Sequence, residues 1–168
     1  MHYLAEDSRT LFIGQAVEVP GTAMSNTIID IPLEKRLELP VAEEMQMGMT
    51  LGLGLQGLIP VSIYPRWNFL LLAINQLINH IDKIDIMSDG GYQPKLIIRT
   101  GIGSERPLHP QHQHVGDFTD AIRRMCTTIE VLRLEEPEDI FPSYEKALKR
   151  EDHRNTILVE YGDYYNEK

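Results

Sequence analysis

Two short runs, LIPVSIY (58–64) and PKLIIRT (94–100), are apolar at nearly every position. A strand wetted on one face alternates apolar and polar residues. A strand covered on both faces does not, and such strands belong to parallel sheets flanked by helices. Between the runs, NFLLLAINQLINHIDKI places Leu70, Ile74, Leu77, Ile78 and Ile81 at three- and four-residue spacings. Asn75, Gln76, Asn79 and His80 occupy the other side, so this segment is predicted to be the helix that joins two parallel strands. TLFIGQAV (10–17) adds an earlier strand, and GDFTDAIRRMC, TIEVLRL, EDIFPSYEKALK and TILVEY then alternate helix and strand signals. Pro142 is expected to distort or delay the helix that contains it. The expected fold is α/β, a doubly wound and mostly parallel sheet with helices on both faces and right-handed crossovers.

That architecture fits a single domain over 1–168, long enough for a substantial core. The 16 Lys and Arg stand against 25 Asp and Glu, a formal charge of −9, which disfavours nucleic acid and anionic membranes as partners. No apolar stretch reaches the roughly 18 residues of a membrane span. The single cysteine, Cys126, forms no internal disulfide, and a reducing, cytoplasmic setting is expected. Its place beside an amphipathic segment predicts a small buried hydrophobe rather than a nucleophile.

Ligands of such sheets bind beyond the carboxyl ends of the strands, which directs attention to particular segments. VAEEMQMGMTLGLGLQG (41–57) reads as a helix beginning near Val41 or Ala42, with Glu43 and Glu44 in its first turn. Acidic residues there complement the helix dipole; a buried one could also share a proton with a heterocyclic nitrogen. Gly48 and Gly52 fall four apart on one face, where close approach of another backbone would offset their low helix propensity. Arg66, Trp67, Asn68 and Phe69 follow a strand and can either form a pocket wall or pack the next helix on the sheet. The loop RTGIGSERPLHPQHQH (99–114) combines Arg99, Gly101, Gly103 and Arg106 with His109, His112 and His114. Anion binding, proton transfer and metal ligation all remain open for it, although neither a phosphate-binding Gly-Lys-Ser/Thr signature nor a zinc motif is present.

From about residue 10 to 161 the chain resembles the N-terminal, pyrimidine-binding domain of the beta subunit of thiamine-diphosphate-dependent 2-oxoacid dehydrogenases (the E1 component) and of transketolase-like enzymes. The segments carrying the resemblance are LPVAEEMQMGMTLGLGLQGLIPV (39–61), WNFLLLAINQLIN (67–79), IIRTGIG (97–103) and PQH (110–112). It implies that Glu43 is the cofactor-activating glutamate, bonded to N1′ of the aminopyrimidine so that the 4′-nitrogen can take the C2 proton. It implies that Phe69 lies against the pyrimidine, with Trp67 and Asn68 shaping the adjoining wall. His112 matches the histidine of a His-Ser-Gln-like loop, which here reads His-Gln-His, and Asn75 replaces a frequent aspartate. Arg66, His109 and His114 are further substrate or loop candidates. The family's diphosphate and magnesium motif, Gly-Asp-Gly followed by a distant asparagine, is not found; Ser88-Asp89-Gly90-Gly91 is a different arrangement. A split enzyme is therefore expected, with thiamine diphosphate shared and Mg²⁺ held by a separate diphosphate-binding subunit rather than by this chain. A heterotetramer or other heteromer is implied, with a lipoyl acyltransferase as a further partner. Transketolase-like two-carbon transfer, nonoxidative decarboxylation and a noncatalytic assembly role are the alternatives.

Overall fold

A computed structural model of the chain describes residues 1–20, 22–103 and 109–166. Six strands form one fully parallel sheet: β1 (Thr10–Gly14), β2 (Arg36–Glu38), β3 (Ile59–Tyr64), β4 (Ile97–Ile102), β5 (Glu130–Arg133) and β6 (Thr156–Tyr161). Their spatial order is β2-β1-β3-β4-β6-β5. The helices are α1 (His2–Ala5), α2 (Ala23–Asn26), α3 (Glu43–Leu55), α4 (Trp67–Leu70), α5 (Ile84–Met87), α6 (Thr119–Met125) and α7 (Ile140–Lys149).

The apolar runs occupy the interior as their composition demands: all of β3 is buried, and only the last residue of β4 and of β6 is partly open. Alternation of side chains along each strand divides the core into two layers. Ile59, Val61, Ile63 and Ile97 pack on one side with Tyr144, Ala147 and Leu148 of α7. Ile98, Ile157 and Val159 pack on the other with Met47 of α3, Trp67, Leu70, Leu77 and Ile122 of α6. The doubly wound α/β expectation is met.

Local structure departs from the sequence reading in three places. The predicted crossover helix is broken into α4, a 3₁₀ turn at Leu71–Ala73 and a π-helical turn at Gln76–Ile81. The wider turn, closed by a bond from Asp82 N–H to the Leu77 carbonyl, is associated with a buried Asp82. Its carboxylate accepts from the backbone N–H groups of Thr127, Thr128 and Ile129, tying the crossover to the approach to β5. Second, Pro142 sits in the first turn of α7, where its missing N–H would have had no helical partner, so the helix is not distorted there. Third, the strand predicted through Val17 ends at Gly14, and Ala16 takes a left-handed φ of 54°. Among the described residues no helix is long and apolar enough to cross a membrane.

Candidate functional site

The chain leaves β1 for β2 on one side of it and later returns to β3 on the other. Loops diverge from the carboxyl ends of β1 and β3, and a crevice opens at such a switch point. Gln15 and Ala16 follow β1, Glu43 opens α3 after β2, Pro65 and Arg66 follow β3, and the histidine loop follows β4.

Glu43 is 5% exposed, and its Oε1 accepts a hydrogen bond from Gln15 Nε2 at 3.3 Å. Its helix is seated from below: Gln46 Nε2 donates to Ser62 Oγ at 3.1 Å and to the Ile63 carbonyl at 2.9 Å, and Thr50 Oγ1 donates to Ser62 Oγ at 2.8 Å. The Tyr64 hydroxyl donates to the Glu43 carbonyl at 3.1 Å, and burial pushes that phenol well above its usual range, so it stays a donor. Gln15 is positioned in turn by Glu38 at the end of β2. The Glu38 carboxylate accepts from the N–H groups of Ala16, Val17 and Glu18 at 2.6, 2.7 and 2.8 Å, which fixes the turn that carries Gln15.

Two depressions adjoin this arrangement. An open groove is lined by Glu43, Glu44, Met45, Gly48, Leu72 and Gln76. A deeper cleft of about 300 Å³ is lined by Gln15, Met24, Arg66, Phe69, Ile102 and Tyr165 among others. Glu43 thus borders the groove and Phe69 the cleft, and the Gln15–Glu43 hydrogen bond links their walls. Glu44 lies exposed on the groove rim, where Gln76 Nε2 donates to its Oε1 at 2.9 Å.

Other sequence-derived candidates are sorted by the fold. Trp67, expected to help shape a cofactor wall, is fully buried in the core and lines neither depression, because it enters α4 facing the sheet. Asn68 is partly buried beside it, and its Oδ1 has no hydrogen-bond partner among the described residues. His109 and His112 are exposed, their rings edge to face at 6.4 Å. His114 instead stacks on Phe69, with ring centroids 5.7 Å apart, and its buried Nδ1 has no partner among the described residues. Gly103 permits this fold-back, since a Cβ there would lie 2.9 Å from Val115 Cα and 3.0 Å from the His114 carbonyl oxygen. Arg106 lies outside the described residues.

Arg99, an anion candidate in the sequence reading, is taken: it is 2% exposed and forms a two-pronged pair with Glu160 at 3.0 and 2.8 Å. Its partner stands on the adjacent strand β6, far away in sequence. The Cys126 thiol is pushed up to about 12, first by burial and then by Asp82, which fits an unreactive packing residue. A methyl group added at Gly48 or Gly52 would meet nothing within 4 Å among the described residues, so none of them packs closely there; the close contact of this helix falls at Gly54 instead. Among the described residues no group of three or more His, Cys, Asp or Glu is arranged to hold a metal ion.

No family model matches the chain. It is 37% identical over 76 residues to the pyruvate dehydrogenase E1 component subunit beta of Gracilaria tenuistipitata var. liui, covering 45% of this chain and 24% of that protein. It is 30% identical over 112 residues to the mitochondrial E1 beta subunit of Drosophila melanogaster, covering 65% and 31%. The matched stretch thus spans about a quarter to a third of these relatives. Among solved structures, a split-gene transketolase, described as an inactive beta4 tetramer, superposes with a TM-score of 0.72 at 14% identity, over 94% of this chain and 47% of that one. A putative thiamin diphosphate-dependent enzyme from Mycobacterium smegmatis gives 0.69 at 14% identity, over 96% and 29%. The chain is E1-beta-like in sequence and transketolase-like in fold. Glu43 and Phe69 could be singled out from the sequence through that likeness, whereas Gln15, Glu38 and Gln46 could not. Their partners are set by strand order, and no local motif marks them.

Proposed function

We propose that this chain is the pyrimidine-binding, cofactor-activating component of a split thiamine-diphosphate-dependent enzyme that acts on a 2-oxoacid. The observation that carries the reading is Glu43, a buried carboxylate on the wall of an open groove, with one oxygen held by Gln15. A carboxylate so placed fits the N1′ edge of an aminopyrimidine, because its position is fixed while its other oxygen makes no hydrogen bond among the described residues. Thiamine diphosphate, when bound, supplies the nucleophile and electron sink for cleavage beside a carbonyl. Glu43 would hold or share a proton at N1′, and Gln15 would keep the carboxylate oriented. Phe69 would offer a ring edge or face to the cofactor, its other side being covered by His114.

A diphosphate-binding subunit carrying Mg²⁺ would complete the site, and the open groove beside Gly48 and Met45 would be its contact. Relatives named as E1 beta subunits favour 2-oxoacid decarboxylation with acyl transfer, and the split-gene transketolase likeness keeps two-carbon ketol transfer as the second reading. Reconstitution with a diphosphate-binding subunit, thiamine diphosphate and Mg²⁺ tests both, with turnover measured on 2-oxoacids and ketoses. Glu43→Gln is expected to lower kcat by at least about a hundredfold, on the scale of a lost proton-transfer group, with the complex mass unchanged. Equal turnover by the two proteins would refute the assignment.

A further inference from the structure

The more enclosed cleft is mostly apolar, with Gln15, Thr22 and the Tyr165 hydroxyl as its uncharged polar side-chain groups. Met24, Phe69, Ile102 and Tyr165 supply much of its wall, and Arg66 is the only charged side chain lining it among the described residues. Arg66 is partly buried, and among the described residues it forms no salt bridge and no side-chain hydrogen bond. Burial lowers its pKa, and no acid among the described residues opposes that shift. An arginine remains charged under such a penalty, so the cleft holds a partly desolvated cation with no counter-ion among the described residues. In a chain with a formal charge of −9, carboxylates are abundant, yet none among the described residues is paired with this guanidinium.

Such a site suits an anion with a short apolar body. A guanidinium receives a carboxylate through paired N–H donors, and the methyl-rich wall gains from burying an aliphatic tail. A polyhydroxylated chain would lose more water than Gln15, Thr22 and Tyr165 can replace along a wall that is otherwise methyl and ring carbon. We propose that Arg66 binds the carboxylate of an aliphatic 2-oxoacid whose side chain lies in the cleft, and that this cleft disfavours the hydroxylated, phosphorylated chain of a ketose phosphate. That the carboxylate carries a 2-oxo group rests on the function proposed above. The cleft shares Gln15 with the Glu43 arrangement and carries Phe69, so a carbonyl bound there would lie beside the cofactor's expected place.

The test reads binding to the full chain without cofactor, independently of turnover. Amide and arginine side-chain resonances are followed by NMR while ¹⁵N-labelled protein is titrated with 4-methyl-2-oxopentanoate, 4-methylpentan-2-one or the ketose phosphate fructose 6-phosphate. Saturable shifts are expected at Gln15, Gly103 and Arg66 with the oxoacid, and the ketone, which lacks the carboxylate, should bind about tenfold more weakly or worse. Fructose 6-phosphate should bind more weakly than the oxoacid. Arg66→Leu should lose the oxoacid preference, and Arg66→Lys should keep part of it. Oxoacid and ketone binding alike, tighter sugar phosphate binding, or an absence of saturable shifts at the cleft would each overturn the proposal. Should Arg66→Leu fail to fold, the acid-to-ketone ratio of the native chain decides alone. Loss of this binding alongside an intact Glu43 effect in the reconstituted enzyme would reject Arg66 recognition while leaving the cofactor assignment standing. The reverse pattern would reject only the latter.

Discussion

Arg99 and Arg66 lie near the same edge of the sheet and have opposite fates. Arg99 is enclosed in the sheet, where Glu160 meets it with both oxygens, Thr27 accepts a further bond at 2.8 Å, and the Tyr144 and Tyr165 hydroxyls close on Glu160. Arg66 stands two residues past β3 with a cleft in front of it and no acid behind it among the described residues. The first arrangement is internally complete and so belongs to architecture. The second is incomplete, and incompleteness of a partly desolvated charge is what a binding site looks like before its ligand arrives.

The sharpest way to break this contrast is to make Arg99 resemble Arg66. Glu160→Ala should cost about 3–5 kcal/mol, because it strands a buried guanidinium, and urea denaturation would measure it. A loss below about 1 kcal/mol would mean that water reaches Arg99 and that the two arginines differ less than argued. Acid probes the same network without mutation. Burial opposes the charge on Glu160, yet Arg99, Tyr144 and Tyr165 together hold its carboxyl below the ordinary range, and Asp82 is held down against burial by Lys83, Thr127 and Thr128. Both groups are depressed in the folded state, so their contribution is present above the unfolded carboxyl values near about pH 4 and is lost as pH falls below them. Urea midpoints should therefore drop steadily on acidification, and Glu160→Gln should flatten the slope.

The glycines of α3 give a smaller contrast of the same kind, between a filled place and an empty one. A Cβ on Gly54 would lie 2.3 Å from Leu96 Cδ2 and 2.9 Å from Pro94 Cβ, so Gly54→Ala should destabilise by about 1–3 kcal/mol despite its better helix propensity. Gly48 faces open space, and Gly48→Ala should stabilise the isolated chain by up to about 1 kcal/mol. Thermal melts of the two variants moving in the same direction would contradict this. Smallest of all, Arg66→Leu should change stability by no more than about 0.5 kcal/mol, since its side chain makes no hydrogen bond or salt bridge among the described residues. A large destabilisation would place Arg66 with Arg99 after all.

How far the sequence could see depended on whether a signal was local. The buried strands were legible because covering both faces removes polar residues from the run itself. Glu43 and Phe69 stood out through resemblance to a family. The two arginines were not separable, because what distinguishes them is Glu160, 61 residues from Arg99 and adjacent only once β4 and β6 pair. Glu38 was missed for the same reason: its three backbone donors lie in a turn about 20 residues earlier. The π turn escaped because apolar residues at three- and four-residue spacing fit a regular helix equally well, and only the bonds around Asp82 separate the two. Trp67 was misplaced because an aromatic residue after a strand suits a pocket wall and a core alike.

The strand order also bears on how the chain comes to be folded. β6 lies between β4 and β5, and β5 pairs with no other strand. Until residues 156–161 leave the ribosome, β4 has one open edge, β5 has two, and Arg99 waits without its carboxylate. The nascent chain therefore exposes apolar strand edges until β6 emerges, which is the interval in which a chaperone would have the most to protect.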